Sequence, residues 1–354
     1  MSKILILKPS SLGDVVQALP VLRRLKRCFP ASQFYWWIDS VLAPLLEGDP
    51  DLAGVVRFER RRWAAPRHWG EMWRAVRWLR HQHFDWVIDL QCLIRSGIFA
   101  WLANGKLSVG LDEPREGARG FYDHIVQRPS PFTHAVDWYL RVLAVLGVPA
   151  DGDFQWLPPR PVVAEALRRQ WPVTAARWIA LQPGARWVNK RWPAESYAEL
   201  VRRLAPANPG FHFAILGGEE DRPLGEVIAR AEPTRCLDLT GRLSLPEMVE
   251  WIRLSELMVS NDTGPLHIAA ALGTPVVALY GPTEPRRTGP YGQLDHVLQL
   301  DLPCVPCLKP RCGYAKPFEC LRALPPAAVA AAAQKRLASR VPPLFAACHS
   351  AGRF

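Results

Sequence analysis

Residues 3–27 read KILILKPSSLGDVVQALPVLRRLKR, and this stretch decides the architecture of the first half of the chain. The apolar run at residues 4–7 predicts a buried strand, and the apolar spacing after the next short polar loop predicts an amphipathic helix. That order is typical of the parallel α/β domains that bind nucleotides. Their glycine-rich phosphate loop is missing here, because the loop holds only Gly13, followed by Asp14. The stretch therefore raises the question of what a carboxylate does in this position.

The composition indicates a globular protein with an anionic partner. The chain has 354 residues, 49% hydrophobic and 22% charged, which is enough for two domains with sizeable cores. We find no apolar run long enough to span a bilayer or to act as a signal peptide, and we therefore expect a cytoplasmic protein. The formal net charge of +11 favours nucleic acid, an acidic membrane surface or a multiply charged substrate as the partner.

The strand–loop–helix pattern recurs along the chain and predicts two domains. In the first half we predict strands at 33–39 and 86–90 and helices at 69–82 and 136–146; in the second half, strands at 178–182, 211–216, 257–260 and 275–280. Each of the second-half strands ends in a loop of Gly, Pro or Asp, which implies parallel βαβ units with a ligand cleft at the strand ends. A proline-rich stretch at 156–161 indicates the boundary. The predicted domains are 1–160 and 161–322, and residues 323–354 form a helical tail that packs back on the first domain.

Much of the positive charge lies in one block, residues 57–80. Eight arginines stand there against only two acids, Glu59 and Glu71, and four tryptophans are interleaved with them. An acceptor-binding surface and a solvated helix face with core tryptophans both explain this pattern. We expect Arg60, Arg61 and Arg62 to be functional and the later arginines of the block to be surface residues, with Trp63 and Trp69 able to contact a sugar or a membrane.

Four of the eight cysteines are clustered, at Cys304, Cys307, Cys312 and Cys320. Their spacing is compatible with a structural zinc site, because Cys-x2-Cys pairs readily supply two ligands. Free thiols and a disulfide are the alternatives, and all three remain open from the sequence. A catalytic metal is not expected, since the loops with candidate chemistry contain no cluster of acidic or histidine ligands.

The most specific segment is residues 260–275, SNDTGPLHIAAALGTP. A strand ends here, and a helix begins near Pro265, where proline suits the first turn. The N–H groups of Asp262, Thr263 and Gly264 then point at whatever lies above the strand, as in an anion site at a helix N-terminus. The alternative is that Asp262 and Thr263 only cap the helix.

Four segments together resemble glycosyltransferase family 9, the ADP-heptose:lipopolysaccharide heptosyltransferases. They are residues 8–14 (KPSSLGD), 182–193 (QPGARWVNKRWP), 260–275, and 278–285 (ALYGPTEP). Residues 89–96 (DLQCLIRS) and 115–122 (REGARGFY) are more similar to heptosyltransferase I than to heptosyltransferase II. The resemblance implies a GT-B fold, with two Rossmann-like domains whose parallel sheets face a central cleft. It also implies an inverting transfer without a metal or cofactor, and donor binding in the second half of the chain.

The resemblance also implies roles for individual residues. Asp14 alone reads equally well as a first-turn acid that complements the helix dipole and as a general base; the resemblance favours the base, which takes the acceptor hydroxyl proton. Lys190 is the candidate that stabilises the leaving diphosphate. The donor-binding candidates are Arg186, Glu219, Leu243, Asp262, Thr263, Gly264 and His267. The acceptor-binding candidates are Ser10, Ser11, Gly13, Arg60, Arg61, Arg62, Arg95 and Arg119.

Two positions depart from the family pattern. Cys92 stands where the family usually has glycine after Asp-x-Gln, and Ala185–Arg186 replaces a pair of hydroxyl residues. The expected partners are ADP-heptose, an anionic lipid A-type acceptor that carries Kdo, and transiently the inner face of the inner membrane, with the protein a monomer. The alternatives are the same chemistry with another nucleotide sugar or acceptor, and a nucleic-acid-binding protein; no nucleic-acid module signature supports the latter.

Overall fold

Two six-stranded parallel sheets, each flanked by helices, form the framework of the protein. The computed structural model describes residues 2–113, 116–152 and 154–339. The strands of the first sheet are β1 (Lys3–Leu7), β2 (Gln33–Asp39), β3 (Gly54–Phe58), β4 (Trp86–Asp89), β5 (Leu107–Leu111) and β6 (His124–Val126). Those of the second are β7 (Arg177–Gln182), β8 (Phe211–Ile215), β9 (Cys236–Asp238), β10 (Leu257–Asn261), β11 (Val276–Tyr280) and β12 (Val297–Gln299).

The helices cover both faces of each sheet and connect most successive strands; in the described part of the chain, only short 3₁₀ turns stand between β2 and β3 and between β5 and β6. Those before β7 are α1 (Leu12–Cys28), α2 (Trp69–His81), α3 (Ile94–Ala103), α4 (Ala135–Leu140), α5 (Val142–Val145) and α6 (Pro161–Gln170). Those after it are α7 (Ala194–Ala207), α8 (Arg222–Ala229), α9 (Leu245–Leu254), α10 (Gly264–Leu272), α11 (Pro285–Thr288), α12 (Glu319–Arg322) and α13 (Pro326–Ala338). Within the described residues, none of these helices has both the length and the apolar character needed to cross a bilayer.

The strand order places the motif-bearing loops side by side. The orders are β3-β2-β1-β4-β5-β6 and β12-β11-β10-β7-β8-β9. The strand order therefore reverses between β1 and β4 and between β7 and β10. Leu7 pairs with Asp89, and Gln182 pairs with Ser260. The loops that leave each pair of strands therefore start level with one another, at the positions where open α/β sheets bind ligands.

Alternation along β1 explains how one strand serves two cores. Ile4 and Ile6 point into a core that α1 covers, whereas Leu5 and Leu7 point into a second core with Trp37 and residues of α2 and α3. Successive side chains of a strand lie on opposite faces. Helices α2 and α3 therefore cover the side of the first sheet opposite α1.

The two domains contact one another through α1 and α10. Helix α1 is buried along most of its length, since it packs on the first sheet, on α4 and on α10. Across the same interface, the His134 ring lies 3.1 Å from the Gly289 carbonyl oxygen, and the Tyr291 hydroxyl donates to Asp137 at 2.7 Å. The walls of the cleft are therefore joined at several points.

Most of the predicted elements are confirmed, and two differ. The predicted helix at 136–146 is interrupted at Arg141 into α4 and α5. Helix α13 packs on α7, β10 and β11 of the second domain, so for Pro326–Ala338 the expected packing on the first domain is wrong. Residues 340–354 of the tail lie outside the described residues. The exact domain boundaries stay predictions.

Candidate active site

Asp14 lies in the first turn of α1, at the wall of the cleft. Its Oδ2 accepts hydrogen bonds from the Ser11 backbone N–H at 2.9 Å and from the Ser11 hydroxyl at 2.6 Å. The carboxylate thus caps its own helix, as the alternative interpretation predicted. Oδ1 accepts none of these bonds, so capping leaves one carboxylate oxygen available to take a proton.

The surroundings of Asp14 keep its carboxylate ionised. Burial raises the pKa of Asp14, but the Lys8 ammonium and the two bonds from Ser11 together lower it by more, so the pKa lies below its usual value. Lys8 is buried, and its ammonium donates to the Leu90 carbonyl at 2.9 Å and lies 4.8 Å from the centre of the Tyr139 ring. Lys8 was not among the predicted site residues, although it stands in the loop between β1 and α1.

His267 connects the two domains next to Asp14. Its ring is buried in the first turns of α10, and Nδ1 lies 3.2 Å from the Gln17 amide nitrogen on α1. Burial lowers the pKa of His267 against the opposing effect of Asp262 and Asp14, so the ring is neutral at neutral pH. When Gln17 donates to Nδ1, the ring proton is on Nε2, which lies 3.9 Å from Asp262 Oδ1.

Gly13 makes this close approach possible. A Cβ at residue 13 would lie 2.4 Å from His267 Cδ2, and one at Gly264 would lie 2.7 Å from Leu12 Cδ2. Both glycines therefore act in the packing of α1 on α10. The space where a side chain at residue 13 would lie is occupied by the His267 ring. Gly13 was predicted to contact the acceptor.

Lys190 is held by a buried carboxylate. Its ammonium lies 2.6 Å from Asp262 Oδ2, which also accepts from the Thr283 hydroxyl at 2.6 Å. Asp262 is only 6% exposed, whereas the Lys190 side chain is 18% exposed. Asp262 was expected to offer its backbone N–H to a ligand, and the structure adds this side-chain role. An ammonium has three N–H donors, so Lys190 keeps donors for an anion while its direction is fixed.

The other donor-binding candidates line the same edge of the second sheet. Thr263 is the N-cap of α10, and Arg186 is exposed in the loop after β7. Glu219 is exposed and paired with Arg222 at 2.9 Å, and its carboxylate lies against Gly241. Leu243, two residues later, is half-buried against the core. The structure thus gathers the loops after β7, β8, β9 and β10.

Some of the acceptor-binding candidates line a pocket in the first domain, and others do not. The pocket has a volume of about 130 Å³ and its lining includes Ser10, Arg60 and Arg95, together with Asp39 and Gln91, which the sequence analysis did not single out. Arg61 is exposed outside this lining. Arg62 is paired with Glu71 at 2.6 Å, Arg119 is paired with Asp112, and Ser11 bonds Asp14.

Trp63 belongs to the core of the first domain. It is buried against the rings of Phe58 and Phe99, so the expected contact with a sugar or a membrane is not available to it. Trp69, by contrast, is half exposed.

The Cys92 backbone explains why glycine is usual at this position in the family. Cys92 has a positive φ of 52°, a conformation that glycine adopts without strain. The Cys92 thiol donates to the Asp89 carbonyl at 2.8 Å and accepts from the Leu111 N–H at 2.8 Å. Burial raises the pKa of this thiol well above its usual value. Cys92 therefore has a structural role, in the loop between β4 and α3.

The clustered cysteines are free thiols. Burial, together with the other three cysteines, raises the pKa of Cys320 to about 11, so it is protonated at neutral pH. In the part of the chain that the structure describes, no three His, Cys, Asp or Glu side chains are arranged to hold a metal ion. Among the described residues the four cysteines form no disulfide, and the structural zinc site stays a prediction.

Comparison with known proteins gives a consistent result. The model of glycosyltransferase family 9 (heptosyltransferase) matches residues 72–317. Lipopolysaccharide heptosyltransferase 1 of Pseudomonas aeruginosa is 33% identical over 332 residues, which cover 88% of each chain. The lipopolysaccharide heptosyltransferase 1 of Escherichia coli K12 is 27% identical over 82% of this chain and 91% of its own.

Solved structures agree with the sequence comparison. The E. coli ADP-heptose lipopolysaccharide heptosyltransferase II has a TM-score of 0.76 at 24% identity, covering 95% of this chain and 98% of its own. An E. coli heptosyltransferase solved with ADP has a TM-score of 0.70 at 26% identity, covering 84% and 92%. The expected GT-B architecture is confirmed. By its sequence, its fold and the arrangement of its motifs, this chain belongs to glycosyltransferase family 9, the heptosyltransferases, and is a transferase.

Proposed function

We propose that this protein transfers heptose from ADP-heptose to the Kdo-lipid A inner core in lipopolysaccharide biosynthesis, by a single inverting displacement without a metal. The observation that supports the proposal is that Asp14 stands on α1 of the first domain, which packs against α10, while Lys190 and the α10 N-terminus belong to the second domain. The relative from P. aeruginosa, a lipopolysaccharide heptosyltransferase, supports the reaction, and the neighbour solved with ADP supports the nucleotide.

In this mechanism, Asp14 takes the proton of the acceptor hydroxyl as its oxygen bonds to the anomeric carbon. A base of this kind contributes roughly 10²–10⁴-fold to the rate. The bond from the anomeric carbon to the diphosphate breaks in the same step, and negative charge develops on the leaving oxygen. Lys190 and the N–H groups of Thr263 and Gly264 would stabilise that charge.

Asp262 and His267 prepare this site. Asp262 fixes the direction of the Lys190 ammonium. Its carboxylate would also accept hydrogen bonds from hydroxyl groups of the donor sugar. The neutral His267 ring can donate from Nε2 without adding a charge. As the family resemblance implies, Glu219 would accept from ribose hydroxyls and Leu243 would pack on adenine.

On the acceptor side, Arg60 and Arg95 in the pocket would bind the carboxylates and phosphates of the inner core, which guanidinium groups grip in a bidentate manner. An acceptor of this kind is held in a membrane, and we accordingly place the protein at the cytoplasmic face of the inner membrane, as a monomer in transient contact with it.

A second candidate keeps the chemistry and changes the donor. Ala185 and the exposed Arg186 stand beside the donor site, and the arginine adds a cation where the family has hydroxyl groups. A changed donor contact of this kind is what would allow another nucleotide sugar to be used.

One experiment separates these candidates. The full chain is incubated with purified Kdo-lipid A and with ADP-heptose, ADP-glucose, UDP-sugars or GDP-sugars, and product is followed by mass spectrometry in buffer with EDTA. We expect transfer from ADP-heptose alone, with inverted anomeric configuration by NMR. Transfer from another nucleotide sugar would select the second candidate, and a requirement for Mg²⁺ would contradict the role of Lys190. Binding of random DNA without transfer would favour the nucleic-acid interpretation.

A further inference from the structure

The outer surface of helices α2 and α3 carries an unusual set of exposed apolar side chains. Trp69 and Trp73 on α2 are 50% and 53% exposed, and Trp101 on α3 is 61% exposed. Ile94 and Ile98, two turns and one turn before Trp101, are exposed as well. The two helices contact one another on the same side of the first sheet, and residues spaced by three or four lie on one side of a helix. These five side chains, which we call the tryptophan face, thus lie on two neighbouring helices on one side of the first sheet.

The tryptophan face is surrounded by positive charge. Arg74, Arg77 and Arg80 are exposed on α2, and in the described part of the chain no acidic side chain forms an ion pair with any of them. The acid on the same helix, Glu71, is already paired with Arg62 and with His68. The combination is that of exposed indole rings with unpaired guanidinium groups, and it matches a surface that is both apolar and anionic.

The tryptophan face begins at the mouth of the acceptor pocket. Arg95 and Ser96, in the first turn of α3, line that pocket, and Ile94 is exposed immediately before them. Trp101 lies seven residues further along the helix, a distance of about 10 Å at 1.5 Å per residue. A membrane that contacts the face would therefore also lie at the entrance of the pocket.

The charges also weigh against a protein interface formed by two copies of this chain. A two-fold contact would bring the same arginines of both copies together, and no exposed, unpaired acids lie on α2 or α3 to separate them. Anionic lipid headgroups supply the missing negative charge, and tryptophan rings are suited to the headgroup level, where one edge is apolar and the other hydrated.

We propose that the tryptophan face docks on an anionic lipid bilayer, with the indole rings at headgroup level and Arg74, Arg77 and Arg80 against the lipid phosphates, so that the acceptor pocket opens toward the membrane. The inference rests on the proposed function only in that the acceptor is held in the membrane. Docking itself requires neither donor nor acceptor.

Vesicle flotation with the full chain tests the proposal. Vesicles of phosphatidylcholine with about one-third phosphatidylglycerol are compared with phosphatidylcholine alone, at low and high salt. The wild type should float with the anionic vesicles only, and less at high salt. Trp69→Ser/Trp73→Ser/Trp101→Ser should lower partitioning at least about tenfold, because the apolar contribution to interfacial binding is removed. Arg74→Gln/Arg77→Gln/Arg80→Gln should lower it by roughly fivefold for each arginine.

The matched control changes the second domain. Val162→Ser/Arg168→Gln/Arg169→Gln removes exposed apolar and basic groups from α6 and should float as the wild type does; circular dichroism and thermal melting confirm that each variant is folded. The tryptophan variant should transfer normally to a water-soluble acceptor without acyl chains and poorly to one embedded in vesicles.

Two results would overturn the proposal. The first is equal flotation of the tryptophan variant and the wild type. The second is a wild-type dimer in sedimentation that is dissociated by the tryptophan substitutions, which would make the face an interface between copies. A wild type that floats with anionic vesicles but transfers heptose to neither acceptor would remove the proposed function and leave the docking face standing.

Discussion

At the scale of single residues, the two oxygens of Asp14 have different tasks. Oδ2 is bound to Ser11, whereas Oδ1 is left for a substrate. Asparagine keeps an acceptor oxygen for Ser11 but cannot take a proton, so Asp14→Asn should lower kcat about 10²–10⁴-fold with ADP affinity unchanged in calorimetry. Glu195→Gln removes an acid from the first turn of α7 and should keep the wild-type rate. An Asp14→Asn rate within tenfold of the wild type would exclude the base.

Lys8 should control the pH at which Asp14 loses activity. Burial raises the pKa of Asp14, and Lys8 is the first of the neighbours that lower it. In Lys8→Met the effect of burial remains, so the pKa rises and the acidic limb of the kcat/KM profile should move to higher pH. The same shift affects stability. A carboxyl group whose pKa is lower in the folded than in the unfolded state stabilises the fold at pH values above its unfolded-state pKa, and this contribution is lost as the pH falls through its folded-state pKa. The variant should lose part of it.

The control for Lys8 is Lys26→Met, which removes a lysine from the exposed end of α1, where its ammonium donates to the Pro30 carbonyl. Its pH profile should match that of the wild type. Rate profiles of the two variants, measured beside denaturation curves at several pH values, check the prediction. An unmoved acidic limb in folded Lys8→Met would show that the two bonds from Ser11 suffice to hold Asp14 ionised.

The Lys190–Asp262 pair should behave as a unit. Lys190→Ala removes the cation, and Asp262→Asn leaves the ammonium without its charged partner, so each should weaken ADP binding and transfer. Because the two side chains are in contact at 2.6 Å, the double variant should cost less than the sum of the singles, with a coupling energy of about 0.5–3 kcal/mol. Thr283→Val, which removes only a neutral donor to Asp262, should have a smaller effect, about 1 kcal/mol. Strict additivity would show that Asp262 does not orient Lys190.

At the scale of elements, strands with dense apolar runs were predicted, even the four-residue β4, whereas β3, β5, β6, β9 and β12 were not. The run at 33–39 contains five large apolar residues and is β2, whereas β9 and β12 have three residues each, too few for a pattern. The ends of α10 could be predicted from Pro265 and Gly273, which suit the start and the end of a helix. Lys190 and Asp262 lie 72 residues apart, and their pairing depends on β7 and β10 being neighbours, which no local pattern contains.

The contact of α1 with α10 gives a prediction at this scale. A methyl group at residue 13 would lie 2.4 Å from the buried His267 ring, which Gln17 holds in place. Gly13→Ala should therefore separate the helices and lower the free energy of unfolding by about 1–3 kcal/mol, with a lower transfer rate. Urea denaturation and the transfer assay measure both.

The matched control for this prediction is Gly70→Ala in α2, where a Cβ would meet nothing within 4 Å. Here alanine should stabilise the helix by about 0.5–1 kcal/mol. A Gly13→Ala variant as stable and as active as the wild type would mean that the interface yields easily, and the proposed geometry of the cleft would have to be abandoned.

At the scale of the whole molecule, the mechanism depends on how firmly the two domains are joined. Asp14 belongs to one domain and Lys190 to the other, so the distance between base and leaving group is set by contacts between domains. Arg160, at the predicted boundary, makes such a contact: its guanidinium donates to the carbonyls of Pro44 and Leu45 in the first domain, at 2.8 and 2.5 Å, while its backbone N–H donates to Glu250 on α9.

Arg160→Gln should loosen this junction. Loss of the charged hydrogen bonds should lower the free energy of unfolding by about 2 kcal/mol and, because the bonds span both domains, increase hydrogen exchange in α1 and α10, which lie in the interface. Arg169→Gln, which removes an exposed guanidinium paired with Glu165 within α6, should change neither. If Arg160→Gln unfolds at a lower urea concentration but the exchange of α1 and α10 stays as in the wild type, then the helix contact alone holds the cleft, and the base and the cation remain opposed without help from the boundary.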